Sequence, residues 1–222
     1  MATSAALLLA APFHAAFAQT APTLGTARSF AVLSGAAVTC TDSLIIGGVG
    51  SSAPGGPVPQ TRCTVDRPVQ AGDASAVAAS DDFLGAYARL AALPPAQCDA
   101  TLTGTLADVS LPPGVYCFAA AATLTGQLTL DGPAGGVWIF RIGTGGTGAL
   151  TGTNFSVVMA GGGQACSVYW WVADAATMTT SAFQGTILAG AASTFTGGSL
   201  IGRTLAKGAV TLTGAIVSAC SN

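Results

Sequence analysis

The alternation of outward threonine and inward apolar residues is the strongest pattern in the chain. It reads Thr101-Leu102-Thr103-Gly104, Thr123-Leu124-Thr125-Gly126, Thr194-Phe195-Thr196-Gly197 and Thr211-Leu212-Thr213-Gly214. Looser copies stand at Thr39-Cys40-Thr41, Ala149-Leu150-Thr151-Gly152 and Thr177-Met178-Thr179. Successive side chains of a strand face opposite ways, so the central apolar residue points inward and both threonines point outward. The last three copies start at 177, 194 and 211, a fixed period of 17 residues. Phe183, Leu200 and Val217 keep that period, as do Gly185 with Gly202 and Leu188 with Leu205. Short strands, glycine corners and a fixed period predict stacked coils, with these residues as the inward positions and corners of a minimal three-sided coil. The expected fold is mainly β, a single solenoid domain over 19–222.

One segment breaks the strand pattern. Asp73 can cap a helix, an Ala-rich run follows, and Pro94-Pro95 ends it, which predicts a helix over about 73–93. Val77, Leu84, Tyr87, Ala88 and Ala91 make its expected apolar stripe, with a fringe from Phe83 to Leu90. About 20 residues at ~1.5 Å each give a ~30 Å strut, long enough to lie beside several coils. Val137-Trp138-Ile139-Phe140 and Val168-Tyr169-Trp170-Trp171-Val172 read as strands crossing the core. Gly and Pro between Thr41 and Asp73 mark loop-like chain, with room for Ile45 and Val49 on a short strand before it.

Composition narrows the function. The chain is 50% hydrophobic and only 7% charged, with net charge −2, so it lacks the basic stripe that nucleic acid or a membrane surface demands. The apolar run 5–11, followed by Ala16-Phe17-Ala18, reads as a secretory signal over 1–18, although no Lys or Arg precedes it. Export makes disulfides the expected state of the six cysteines. Short loops favour Cys40 with Cys63 and Cys98 with Cys117, leaving Cys166 with Cys220. Alternatively, Cys40 is a buried small apolar residue.

Catalytic chemistry finds few candidates. His14, the single histidine, lies in the signal segment, and there is no Glu. A histidine-based triad or metal site is therefore excluded from the mature chain. The nine Asp residues occur singly, apart from Asp81-Asp82, whose side chains diverge on a helix. No enzyme, metal site or cofactor is expected. Trp138, Trp170 and Trp171 could form a sugar platform, although burial explains the same stretches. Arg203 and Lys207 read as solvated charges.

A threonine face offers hydroxyls and methyls on a grid of ~4.8 by ~6.7 Å. Ice and crystalline polysaccharide are ligands periodic in two dimensions. Threonine is also an ordinary outward strand residue, so pattern alone does not separate a binding face from an exterior wall.

Longer motifs add to this reading. They are Leu24-Gly25-Thr26-Ala27, Ser29-Phe30-Ala31-Val32-Leu33, Pro113-Gly114-Val115-Tyr116-Cys117-Phe118, Ile139-Phe140-Arg141-Ile142-Gly143, Gln164-Ala165-Cys166-Ser167-Val168-Tyr169-Trp170 and Gly202-Arg203-Thr204-Leu205-Ala206 with Gly208-Ala209-Val210-Thr211-Leu212. In this order the set resembles the secreted ice-binding proteins of bacteria, fungi and algae. The resemblance implies a discontinuous right-handed β-helix of triangular section with one α-helix alongside. It also implies adsorption to ice through one flat β face, without covalent chemistry. Thr144-Gly145-Gly146-Thr147 and Thr151-Gly152-Thr153-Asn154 match a Thr-(Ala/Gly)-x-(Thr/Asn) ice motif found in some members. The Pro/Gly-rich segment 54–68 and the number of cysteines depart from the family pattern. The expected ice-contacting residues are Thr123, Thr125, Thr151, Thr153, Thr177, Thr179, Thr194, Thr196, Thr211 and Thr213. The expected partner is an ice crystal surface, met by a secreted monomer. The alternative is a non-catalytic extracellular adhesion or polysaccharide-contacting module.

Overall fold

The computed structural model describes residues 19–220, so the expected signal segment 1–18 lies outside the described residues. Each coil runs through three short strands, and every strand pairing is parallel. The 17-residue period is the length of one such coil: Thr177, Thr194 and Thr211 stand in register, as do Phe183, Leu200 and Val217. Three strands per coil give the stack three faces. The first carries the threonine repeat, and the third is covered by the helix.

The coils are not stacked in chain order. On the third face the strands follow one another as Val69–Ala71, Gly48–Ser51, Phe30–Ser34, then the ends of Ser199–Ala206 and Ala182–Ala189. Val168–Val172, Trp138–Ile142, Gly114–Phe118 and Ala100–Thr101 complete it. The N-terminal strands thus occupy one end and abut the C-terminal coils. Residues after the helix restart at the opposite end. Nine strands at ~4.8 Å separate those ends by ~38 Å. The helix Ala74–Ala91 spans ~27 Å of that return path, and residues 92–99 cover the rest. The helix is therefore both strut and connection.

Its N-terminus follows the sequence: Asp73 accepts a 2.8 Å hydrogen bond from the Ala76 amide. The apolar stripe does not. Val77 and Leu84 are 40% exposed, whereas Ala76, Ala79, Phe83, Ala86, Tyr87 and Leu90 are buried. In an Ala-rich helix nearly every stripe is apolar. Docking selects the one where Phe83, Tyr87 and Leu90 fill space and the alanines permit close approach to Leu33, Leu188 and Leu205. Leu188 and Leu205, read from the sequence as coil interior, point from the sheet to the helix.

Aromatic rings fill the coil interior. Tyr116 stacks on Phe140 at 5.4 Å and Phe140 on Trp170 at 3.9 Å, and Trp170 meets Phe183 at 4.8 Å. Trp138 and Trp170 are fully buried, and their indole N–H groups donate to Leu111 O and Gln184 O, both at 3.0 Å. Trp171 points outward from its strand but lies under the helix beside Tyr87. No tryptophan is left for a sugar platform. The three disulfides join Cys40 to Cys63, Cys98 to Cys117 and Cys166 to Cys220, as the sequence suggested.

Two arginines are buried. Arg141 donates to the helix-terminal Ala91 carbonyl at 3.0 Å, where a cation also complements the helix dipole. Arg203, expected to be solvated, is 5% exposed instead. It donates to Arg28 O at 2.9 Å and to Cys220 O at 3.0 Å, so backbone oxygens from both chain ends replace water. Lys207 does remain exposed, its Nζ 3.7 Å from the centre of the Tyr87 ring.

At the surface, Asp82 accepts from the Thr26 hydroxyl and amide, both at 2.7 Å. The Thr26 side-chain and backbone hydrogen bonds hold its carboxyl below the usual range. A depressed folded value makes this tie stabilising above the unfolded carboxylate pKa of about 4, and its contribution is lost as pH falls through the folded value. Asp82→Asn should therefore lower the melting temperature slightly at pH 7. Melting scans of the two proteins should start to converge as pH falls below about 4 and meet once it has passed the folded value; a gap that persists below that value would rule the carboxylate out.

Candidate functional site

The threonine face is built from the strands Gln60–Thr61, Val38–Thr41, Val210–Thr213, Ser193–Thr196 and Ala176–Thr179, then the first parts of Leu150–Ala160 and Ala122–Asp131. Their register aligns Thr39, Thr211, Thr194, Thr177, Thr151 and Thr123 in one file. A second file holds Thr61, Thr41, Thr213, Thr196, Thr179 and Thr153. Six residues at ~4.8 Å make each file ~24 Å long. Between the files point the inward residues Cys40, Leu212, Phe195, Met178, Gly152 and Leu124, all buried. Gly152 leaves room that the Met178 sulfur fills, for a Cβ there would come within 2.6 Å of it.

Nine of the ten residues expected from the sequence stand on these two files. Thr125 stands off the register, because the pairing with Leu150–Ala160 shifts between Leu124 and Gly126. Its hydroxyl instead meets that of Thr105 at 2.8 Å. Thr39 and Thr41 belong to the face although only the looser repeat marked them. Thr61 lacks the motif and is placed by strand pairing alone, and Thr105, outside any strand, by its hydrogen bonds with Thr125. Thr101-Leu102-Thr103-Gly104 carries the motif but lies elsewhere: Thr101 pairs with Cys117 on the helix-covered side. That strand is held there by the Cys98–Cys117 bond, not by the repeat. Thr144-Gly145-Gly146-Thr147 falls in the exposed turn before Leu150–Ala160.

The glycine of the repeat has a backbone cause. Where each coil leaves the threonine face, one residue takes positive φ: Gly214 at 63° and Gly197 at 66°. Cβ sterics disfavour that region for other residues. The Arg62–Asp42 ion pair occupies this corner at the N-terminal end of the stack.

The adjoining second face differs in character. It exposes Ile46, Ile201, Ile216 and Val158 among Ser199, Ser156 and Gln127. Elsewhere, a groove of about 540 Å³ lies between residues 19–23 and the C-terminal end of the helix, with Arg89, Leu90 and Asp99 on its wall. The carboxylates serve the fold: Asp66 accepts from Gly47 N, Asp99 from Val115 N and Asp174 from Gly148 N. Among the described residues, no group of three or more potential metal ligands comes together.

The chain is similar to a known group of proteins. Residues 26–218 match the family model described as ice-binding-like. An ice-binding protein of Nostoc sp. (strain HG1) is 38% identical over 210 residues, covering 89% of this chain and 74% of the relative. The crystal structure of an ice-binding protein from the Antarctic ascomycete Antarctomyces psychrotrophicus superposes with a TM-score of 0.82 at 29% identity, over 91% of this chain and 100% of that one. That of an ice-binding protein from an Antarctic biological consortium gives 0.83 at 31% identity, over 95% and 96%. With the family model matched over nearly all the described residues, the chain belongs to the ice-binding-like family.

Proposed function

We propose that this protein is exported and adsorbs to ice through its threonine face, slowing ice growth or recrystallisation without chemistry. One observation carries the reading: five successive strands each present Thr-x-Thr outward in register, from Thr39 and Thr41 to Thr151 and Thr153. A rigid two-dimensional array suits a ligand that is itself periodic. Threonine is stiff at χ1, so little side-chain freedom is lost on contact. Its methyl orders neighbouring water and its hydroxyl joins that water's hydrogen bonds. No charged side chain stands on either file to impose a competing hydration shell. Three disulfides are consistent with an oxidising compartment.

The polysaccharide alternative is less well supported, because all three tryptophans are buried and none offers a stacking ring. Ice-affinity partitioning and thermal hysteresis test the proposal together. The purified protein is expected to enrich in a slowly grown ice phase and to shape crystals. Exclusion from ice together with unshaped crystals would refute ice binding and favour adhesion.

A further inference from the structure

The corner beside the second threonine file forms a column of its own. In stack order it holds Arg62, Asp42, Gly214, Gly197, Thr180 and Asn154, with φ between 46° and 66°. The amides of Asp42, Gly214, Gly197 and Thr180 donate to Thr61 O, Thr41 O, Thr213 O and Thr196 O at 2.8–2.9 Å. The column is thus part of the sheet and shares the spacing of the threonine files. Glycine is the relaxed residue at such a corner, and Asn and Asp tolerate it. Thr180, at φ 46°, does not fit that account: a β-branched residue there is a genuine outlier. Two neighbouring coils make the same turn with Gly197 and Gly214, so the turn itself does not require threonine. Strain of this kind persists where the surroundings or a function hold it.

The Thr180 side chain is also fixed in direction. It is exposed, and its hydroxyl donates to Asn154 Oδ1 on the next coil. A methyl placed on Gly197 would lie 3.5 Å from Thr180 Cγ2, an ordinary contact, so the two corners are aligned. We infer that Thr180 is a further ice contact, a third column beside Thr179 and Thr196, with Asn154 as its positioning residue. The inference rests on the threonine face being the ice-binding surface.

Thr180→Gly separates this role from a scaffold role, because glycine relieves the strain while keeping the amide bonded to Thr196. Thermal hysteresis is expected to fall at least about twofold while the melting temperature stays level or rises. Thr180→Asn, which keeps a polar side chain in a conformation asparagine tolerates, should restore most of the activity. Unchanged hysteresis in Thr180→Gly would overturn the inference. So would a loss matched by a fall in melting temperature, or a failure of Thr180→Asn to restore activity. Thr196→Tyr distinguishes the levels. If it is inactive while Thr180→Gly is fully active, only the third column fails; if it keeps full activity, the threonine-face reading itself fails.

Discussion

Thr196→Tyr is expected to abolish ice shaping and return ice partitioning to background, with the melting temperature almost unchanged. Thr196 is exposed on the second file, flanked by Thr179 and Thr213 along the stack and by Thr194 in its own strand. A flat face contacts a flat crystal only if nothing stands proud of it. A tyrosine ring at this place would lift the neighbouring coils from the ice plane, so one substitution removes many contacts. The same change touches nothing in the core, where the adjacent inward residue is Phe195. Outward substitutions of this kind alter stability by about ±0.5 kcal/mol, roughly 1–2 °C for a domain of this size. The comparison protein is Ile201→Tyr on the second face, where exposure is 47% and activity should persist. Activity lost in Ile201→Tyr and kept in Thr196→Tyr would move the binding surface across the corner.

The legible parts of this fold depend on contacts close in sequence or repeated at a fixed period. Asp73 and Pro94-Pro95 bound the helix because capping and termination are local events. The 17-residue coils could be read because Phe183, Leu200 and Val217 repeat the same burial. The buried side of the helix could not be read. Its alanines make several stripes look alike, and the choice among them is made by Leu188, Leu205 and Trp171, distant in sequence. Thr101 fails for a related reason. A Thr-Leu-Thr-Gly segment has no address of its own, and pairing with Cys117 puts it on another face. Thr61 shows the converse, joining the second file with no motif to announce it. Arg203 was illegible as a buried charge because its carbonyl partners belong to Arg28 and Cys220, near opposite ends of the chain. A repeat therefore identifies coils reliably, while the membership of a face is decided by strand pairing.

Stability and ice contact should separate in Phe183→Ala. Phe183 is 1% exposed, with ring centres 4.8 Å from Trp170 and 6.1 Å from Phe155, and it pairs with Leu200 of the next coil. Removing the ring leaves a cavity bounded by rigid aromatic neighbours that cannot collapse into it. Phe→Ala changes in such cores cost about 3–5 kcal/mol. For a domain of this size that is a fall in melting temperature of roughly 6–20 °C. Each coil of a solenoid leans on its neighbours, so the damage should first loosen the coils containing Trp170, Phe155 and Leu200. None of these side chains reaches the threonine face, where Thr177, Thr179, Thr194 and Thr196 keep their register through their own strand pairings. At temperatures near freezing, where the variant remains folded, ice partitioning should match the unaltered protein. A drop in stability below about 1 kcal/mol would show that this part of the core can close around the gap. Loss of ice partitioning in the folded variant would show that the flatness of the threonine face depends on the aromatic stack beneath the adjoining one.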